Sequence, residues 1–277
     1  MGGYLMYIMM LLVIFMLFSN MRKAKAMRKD ERYISCYTAV LRDEEKAAEE
    51  LDAYVNEETD PELLNKSLIV KVYTDILSGK DPHETIEKID LSDVFLVKGE
   101  YVPEKVSRNS DAFVWLLLDL SKARSESMID VMDKLYEKIS AYEDRLGNHV
   151  EYLVLKATYN ALLEKDLDGI RFLNKLLTGE YADYVYDKSL VGVFKKVAAA
   201  ILIYTGEPIS EEDEMLLNSF VETQVGHKFL TNLGIADKYM KKEEAVEETV
   251  TEEEEIKETA EETADTEDVT EEADKTK

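Results

Sequence analysis

Apolar residues recur along the middle of this chain at intervals of three and four positions, the period of an α-helix that packs on one face. Two of these stripes are Val150, Leu153, Val154, Ala157 and Ala161, and Leu190, Val191, Phe194, Val197, Ala198, Ile201 and Leu202. A third begins at Asp60 and Pro61, an N-cap residue followed by proline in the first turn. Strand patterns are nearly absent. The pattern predicts an all-α body over residues 30–239.

The first eighteen residues differ, because residues 4–18 read YLMYIMMLLVIFMLF and are apolar on every face. This length approaches the ~17-residue lower limit for a helix that crosses a bilayer. Basic residues follow at once, at Arg22, Lys23, Lys25, Arg28 and Lys29. A cleaved signal peptide is the alternative, but its positive charges would precede the apolar core. The sequence predicts an uncleaved transmembrane anchor in residues 1–29. Lys and Arg remain on the cytoplasmic side, which predicts a single-pass cell-membrane protein with its N-terminus outside and its C-terminal domain in the cytoplasm.

Junctions between predicted helices fall near Arg42, Gly79, Arg124, Lys165 and Gly206, roughly 37 to 45 residues apart. At each junction a hydrophobic helix is followed by a more charged one. Such a period is typical of helical hairpins that stack into a solenoid, because one hairpin cannot bury its apolar face alone. Residues 111–120, DAFVWLLLDL, are apolar nearly all round. We therefore expect this helix to be covered on both sides, with Trp115 in the core.

In two of the predicted second helices a small residue precedes a large apolar one by four positions, at Ala47 and Leu51 and at Gly169 and Leu173. With the turns before them, the segments are Tyr37–Leu51, and Tyr159–Leu163 with Asp166–Leu173. They resemble the turn and second helix of a tetratricopeptide repeat. The resemblance extends over most of residues 30–225 and implies a helical-hairpin solenoid with a concave surface that binds proteins or peptides.

The formal net charge is −25, and about half of it lies in residues 241–277, where seventeen acidic residues face five basic ones. This segment lacks aromatic residues, Gly and Pro, so it cannot bury enough apolar surface to offset the entropy of ordering. The sequence predicts a disordered acidic tail over residues 240–277. The tail serves either for solubility alone or for contact with a basic partner. The charge also argues against nucleic-acid binding.

Candidate chemistry is sparse. The single cysteine, Cys36, excludes an intramolecular disulfide, and His83, His149 and His227 are scattered without a metal-binding spacing. His83 and His149 fall near predicted helix starts, where we expect exposed side chains. No phosphate-binding glycine loop or nucleophile elbow occurs. We therefore assign no catalytic, cofactor-binding or metal-binding residue.

Sixteen tyrosines occur, and exposed tyrosines are typical of protein interfaces. We expect Tyr181, Tyr184 and Tyr186 to bind a partner or, alternatively, to join adjacent repeats. The sequence thus predicts a membrane-anchored scaffold or adaptor that is not an enzyme and binds cytoplasmic proteins. The alternatives are an enzyme with an unrecognised site and a structural membrane component that oligomerises through its anchor.

Overall fold

The computed structural model describes residues 30–164, 167–179 and 190–240. Within these ranges 76 % of the residues are helical, in fifteen helices. The predominantly helical character of the body is therefore confirmed. The predicted partner-binding residues Tyr181, Tyr184 and Tyr186 and the predicted tail segment 241–277 lie outside the described ranges.

The described ranges contain long and short helices and a small β-hairpin. The first half contains α1 (30–41), α2 (Ala47–Glu57), α3 (Pro61–Leu77), α4 (His83–Lys88), α5 (Leu91–Phe95), β1 (Leu96–Val97), β2 (Glu100–Tyr101), α6 (Pro103–Arg108) and α7 (Asp111–Ser125). The second half contains α8 (Ile129–Ser140), α9 (Glu143–Leu146), α10 (Val150–Leu162), α11 (Leu167–Thr178), α12 (Val191–Tyr204), α13 (Glu211–Val221), α14 (Gln224–Asn232) and α15 (236–240).

The long helices form an inner row in which α3 packs on α7, α7 on α10, and α10 on α12. Each also contacts the shorter helix that follows it: α4 and α5 follow α3, α8 follows α7, α11 follows α10, and α13 follows α12. The inner helices end within three residues of the predicted junctions. Trp115 is buried in α7, as expected. Helices packed in pairs agree with the periodicity, while membership of the tetratricopeptide class stays a prediction.

Local signals explain where several helices begin. The Asp60 carboxylate accepts hydrogen bonds from the backbone N–H groups of Glu62 and Leu63 at the start of α3. Ser210 caps α13, where four acidic residues occupy the first turn and interact favourably with the helix dipole.

Gly169 of α11 lies so close to α10 that a Cβ atom there would be 3.2 Å from the Cα of Ala157. The small residue at this position permits the close approach of the two helices.

The antiparallel hairpin between α5 and α6 was not predicted. Leu96 pairs with Tyr101 and Val97 with Glu100. Lys98 and Gly99 form the two-residue turn, both with positive φ (53° and 81°), as a type I′ turn requires. Strands of two residues are too short to show an alternating pattern, so only the turn signals them.

The prediction of a membrane anchor is corrected. Residues 4–18 and the basic flank at Arg22, Lys23, Lys25, Arg28 and Lys29 lie outside the described ranges. Among the described helices, none is both long enough and apolar enough to cross a bilayer. The longest, α3, has 17 residues and includes Lys66, Lys71 and Asp75. The predicted fold class with a transmembrane helix, the integral single-pass membrane protein and its cell-membrane localisation are therefore not supported.

Candidate functional site

A cavity of about 640 Å³ lies where α1, α3, α6 and α7 meet. This volume is in the range of sites that accept small molecules or parts of peptides. Its lining combines acidic, tyrosine and a few basic side chains. These residues are Asp30, Tyr33, Ile34, Tyr37, Asp60, Glu62, Leu63, Lys66, Arg108, Asn109, Ser110, Asp111 and Leu190. We call this space the α1–α7 cavity.

The floor of the α1–α7 cavity is a polar cluster in which Tyr33 and Lys66 are buried and Asp111 is half-buried. The Lys66 ammonium group lies 2.8 Å from Asp111 Oδ2, and the Tyr33 hydroxyl donates to the same oxygen at 3.1 Å. Lys66 Nζ is also 4.7 Å from the centroid of the Tyr33 ring, a cation–π contact. Lys66 is only 8 % exposed, so its charge is largely desolvated and depends on these partners. The cluster links α1, α3 and α7 and holds the floor in one arrangement.

Burial is the main cause that raises the pKa of Tyr33 well above its ordinary value, and the charge of Asp111 adds to it. The hydroxyl therefore stays protonated and remains a hydrogen-bond donor to Asp111. Tyr33 also contacts Tyr37, with ring centroids 5.2 Å apart, and Tyr37 packs edge-on against Trp115. The wall formed by the two tyrosines is thus supported from the core.

The lining of the α1–α7 cavity carries excess negative charge. Four lining residues are carboxylates (Asp30, Asp60, Glu62 and Asp111) and two are cations. Both cations are already paired, Lys66 with Asp111 and Arg108 with Glu62. Burial acts to raise the pKa of Glu62, but hydrogen bonds from Lys105 and Asn109 lower it overall. Glu62 therefore stays ionised at neutral pH, and the surplus of carboxylates in the lining attracts a cationic group.

A second polar arrangement joins the hairpin to α10. The Tyr101 hydroxyl is hydrogen-bonded to His149 Nε2, and His149 Nδ1 lies 3.6 Å from Glu151 Oε2. His149 and Glu151 are completely buried, whereas Tyr101 is half-buried. Burial, and then the charge of Glu151, raises the pKa of Tyr101. The expectation that His149 is exposed is wrong, because its partner Tyr101 lies 48 positions away and sequence spacing does not indicate the contact.

His83 differs from His149, since its side chain is 30 % exposed and contacts Asp81 at 2.6 Å and Asp130 at 3.1 Å. Across the described residues, no group of three or more His, Cys, Asp and Glu side chains is placed to hold a metal ion. Cys36 is buried in the core.

Sequence reasoning missed the cluster of Tyr33, Lys66 and Asp111. The one available signal was Lys66, a charged residue among the buried positions of α3. Its partner Asp111 lies 45 positions further along the chain, and only the packing of α3 on α7 brings the two together.

Comparisons with known proteins give no relative from which a function could be inferred. No family model, no curated protein and no solved structure matches the chain. The chemistry of its own residues is therefore the basis for a functional argument.

Proposed function

We propose that this chain is a protein-binding scaffold or adaptor, and that a partner docks a basic segment into the α1–α7 cavity. The observation that carries the proposal is the lining, in which tyrosine walls and surplus carboxylates surround a floor where Tyr33 and Lys66 both contact Asp111 Oδ2. Aromatic side chains in a supported wall are typical of protein interfaces. The membrane-tethering part of the predicted role is not retained.

The negative charge of the cavity lining indicates that the partner segment is basic. Glu62 is already paired with Lys105 and Arg108, so a lysine or arginine side chain of the partner would place its positive charge beside Asp30 and Asp60. Its aliphatic stem would lie along Tyr37 and Ile34. Ile34 is 47 % exposed and offers an apolar contact at the rim. The net charge of −25 also attracts a basic partner over longer distances and accelerates association at low salt.

The test compares two charge-reversed variants. Asp30→Lys changes a carboxylate at the cavity, and Asp144→Lys changes an exposed carboxylate on α9 by the same amount of charge. The probe is a fluorescein-labelled octapeptide of alternating lysine and alanine, with an alternating glutamate–alanine octapeptide as the reference. Fluorescence anisotropy at 150 mM NaCl gives the Kd.

We expect the lysine peptide to bind and the glutamate peptide not to bind. Asp30→Lys should weaken binding about three- to fivefold, as expected for an exposed charge, and Asp144→Lys should leave it near the wild-type value. Equal weakening by both variants means attraction to the overall charge and rejects the cavity as the site.

An enzymatic activity is the second candidate function, and the Tyr101–His149–Glu151 arrangement is the observation that favours it. A carboxylate behind a histidine, with a hydroxyl in front, is the order of groups in a proton relay. The 3.6 Å between His149 Nδ1 and Glu151 Oε2 is longer than a hydrogen bond, so Glu151 must move towards the ring before this pair can act in a relay. None of these residues lines the α1–α7 cavity, so a substrate would have to approach Tyr101 from outside. A panel of chromogenic esters and phosphates tests this candidate. Turnover that Tyr101→Phe abolishes supports it, and turnover equal to that of the variant rejects it.

A further inference from the structure

The nine-residue helix α14 packs back on the first half of the molecule. It packs against α13 and against the central helix α7. Its Lys228 pairs with Asp43, in the turn after α1, and Asn232 Nδ2 donates to Ser121 Oγ of α7 at 3.0 Å. Lys228 Nζ also lies 5.7 Å from the centroid of the Tyr73 ring on α3. We call the surface formed by Asp43, Tyr73 and Ser121 the α14 seat.

The contacts on the α14 seat fix the position of α14 more than they stabilise it. Lys228 is 7 % exposed, so forming its ion pair requires the loss of water from the ammonium group, which offsets much of the attraction. Asp43, by contrast, is largely exposed and keeps its hydration whether or not the pair forms. Phe229 and Leu230 supply buried apolar surface on the same helix. The seat thus offers a helix one negative charge, one hydrogen-bond acceptor and an apolar patch.

Helix α14 also depends on the seat for its own structure. It has nine residues, fewer than the ~12–15 that an isolated helix needs in water. Gly234, with φ of +71°, follows its last turn, and the next helix, α15, has only five residues. Helix α14 packs mainly on α7 and α13, whereas α7 packs on α3, α8, α10 and α14. A short helix with fewer packing partners opens at a lower free energy than a central helix such as α7.

We propose that the α14 seat is a docking surface for a helix of a partner protein, which exchanges with α14. The occupant is an amphipathic helix with a lysine that pairs with Asp43 and an adjacent aromatic–leucine pair, the chemistry that Lys228, Phe229 and Leu230 show the seat to accept. This site is separate from the α1–α7 cavity and does not rest on the function proposed for it.

Because α14 and the partner helix compete for the same seat, α14 lowers the apparent affinity of the chain for the partner. While α14 occupies the seat, the apparent affinity of a competing helix is reduced by the fraction of molecules that are open. If about 1 % are open, the apparent Kd is about 100-fold weaker than the intrinsic one. A change that opens α14 therefore strengthens binding without altering the seat.

The full chain and a peptide of residues 222–240, labelled with fluorescein, provide the test. In the Lys228→Glu variant, the new carboxylate faces Asp43 and disfavours closure, while the seat itself is intact. We expect this variant to bind the wild-type peptide at least about tenfold more tightly than the wild-type chain does. Lys238→Glu is the matched control on α15, because Lys238 pairs with Glu214 of α13 and not with the seat, and it should bind like wild type.

A charge swap supplies the second arm. The double variant Asp43→Lys with Lys228→Glu restores an opposite pair, so closure should return and peptide binding should fall back to the wild-type value or below. A folded Lys228→Glu variant that gains no affinity for the peptide rejects the proposal.

If Lys228→Glu does not fold, hydrogen exchange on the wild-type chain tests whether α14 opens separately. Exchange of the amides of α14 faster than those of α7, at a free energy well below global unfolding, supports a helix that opens separately. Equal protection of α14 and α7 rejects it, since the seat is then uncovered only when the whole body unfolds.

Discussion

Asp119 is a carboxylic acid in an apolar environment that disfavours its ionised form. It lies in the middle of α7, completely buried, and neither carboxyl oxygen has a hydrogen-bond partner among the described residues. Burial raises the pKa of Asp119 well above its ordinary value. Burial therefore favours the neutral form of this carboxyl in the folded protein.

The raised pKa predicts the sign of a pH effect. An unfolded Asp ionises near pH ~3.9, so the folded state binds the Asp119 proton more tightly than the unfolded state does. Stability from this group is fully present below about pH 4 and is lost as pH rises through the folded pKa. We expect Asp119→Asn to be more stable than wild type, by about 1–3 kcal/mol at pH 8 and by less at pH 5.

Urea unfolding of both proteins at pH 5 and pH 8 measures the difference. Asp93→Asn is the control, because the pKa of Asp93 is also raised but this residue is only partly buried. A stability difference for Asp119→Asn that does not grow between pH 5 and pH 8 contradicts the prediction.

The approach of α13 to α14 depends on a glycine. A Cβ atom on Gly226 would lie 1.9 Å from the backbone oxygen of Phe220, far inside van der Waals contact. Gly192, near the start of α12, has nothing within 4 Å of the same position. The two glycines therefore provide a matched pair for the same substitution in two helices.

We expect Gly226→Ala to destabilise the protein by more than about 2 kcal/mol, since the helices must separate to admit the methyl group. Gly192→Ala should stabilise it by roughly 0.5–1 kcal/mol, because alanine loses less conformational entropy in a helix and meets no neighbour. Thermal unfolding of both variants tests the pair. Equal shifts in Tm would show that α14 does not pack as closely on α13 as the structure indicates.

Helices were predictable from the sequence where the apolar pattern was long enough to repeat. The inner helices α3, α7, α10 and α12 have 13 to 17 residues, and their ends agree with the predicted junctions. Features that depend on distant partners were not predictable, among them the burial of His149 by Tyr101 and the pairing of Lys66 with Asp111. The predicted anchor illustrates the limit of composition, because none of the described helices has the length and apolar character to support it.

The net charge of the molecule predicts how its stability responds to salt. A charge of −25 repels itself in the compact state, and the exposed ion pairs that oppose this repulsion contribute little each. Added salt screens both, with a Debye length of ~30 Å at 0.01 M and ~10 Å at 0.1 M. We expect Tm to rise by a few degrees between 10 and 200 mM NaCl, and calorimetry can measure it.

A comparison of salts separates screening from specific binding. Sodium chloride and potassium chloride at equal ionic strength should give the same rise in Tm, because screening depends on ionic strength alone. A fall in Tm with salt would mean that the surface ion pairs outweigh the self-repulsion.

The packing of α14 on α7 also determines an order of events during synthesis. A chain emerges from the ribosome N-terminus first at ~5–20 residues per second, and α14 begins roughly 100 residues after α7 ends. The surface of α7 around Ser121 thus stays uncovered for roughly 5–20 s until α14 is synthesised, while the helix pairs before α7 can already pack. A chaperone that shields apolar helices on nascent chains would find its target there, in the interval between the synthesis of α7 and the arrival of α14.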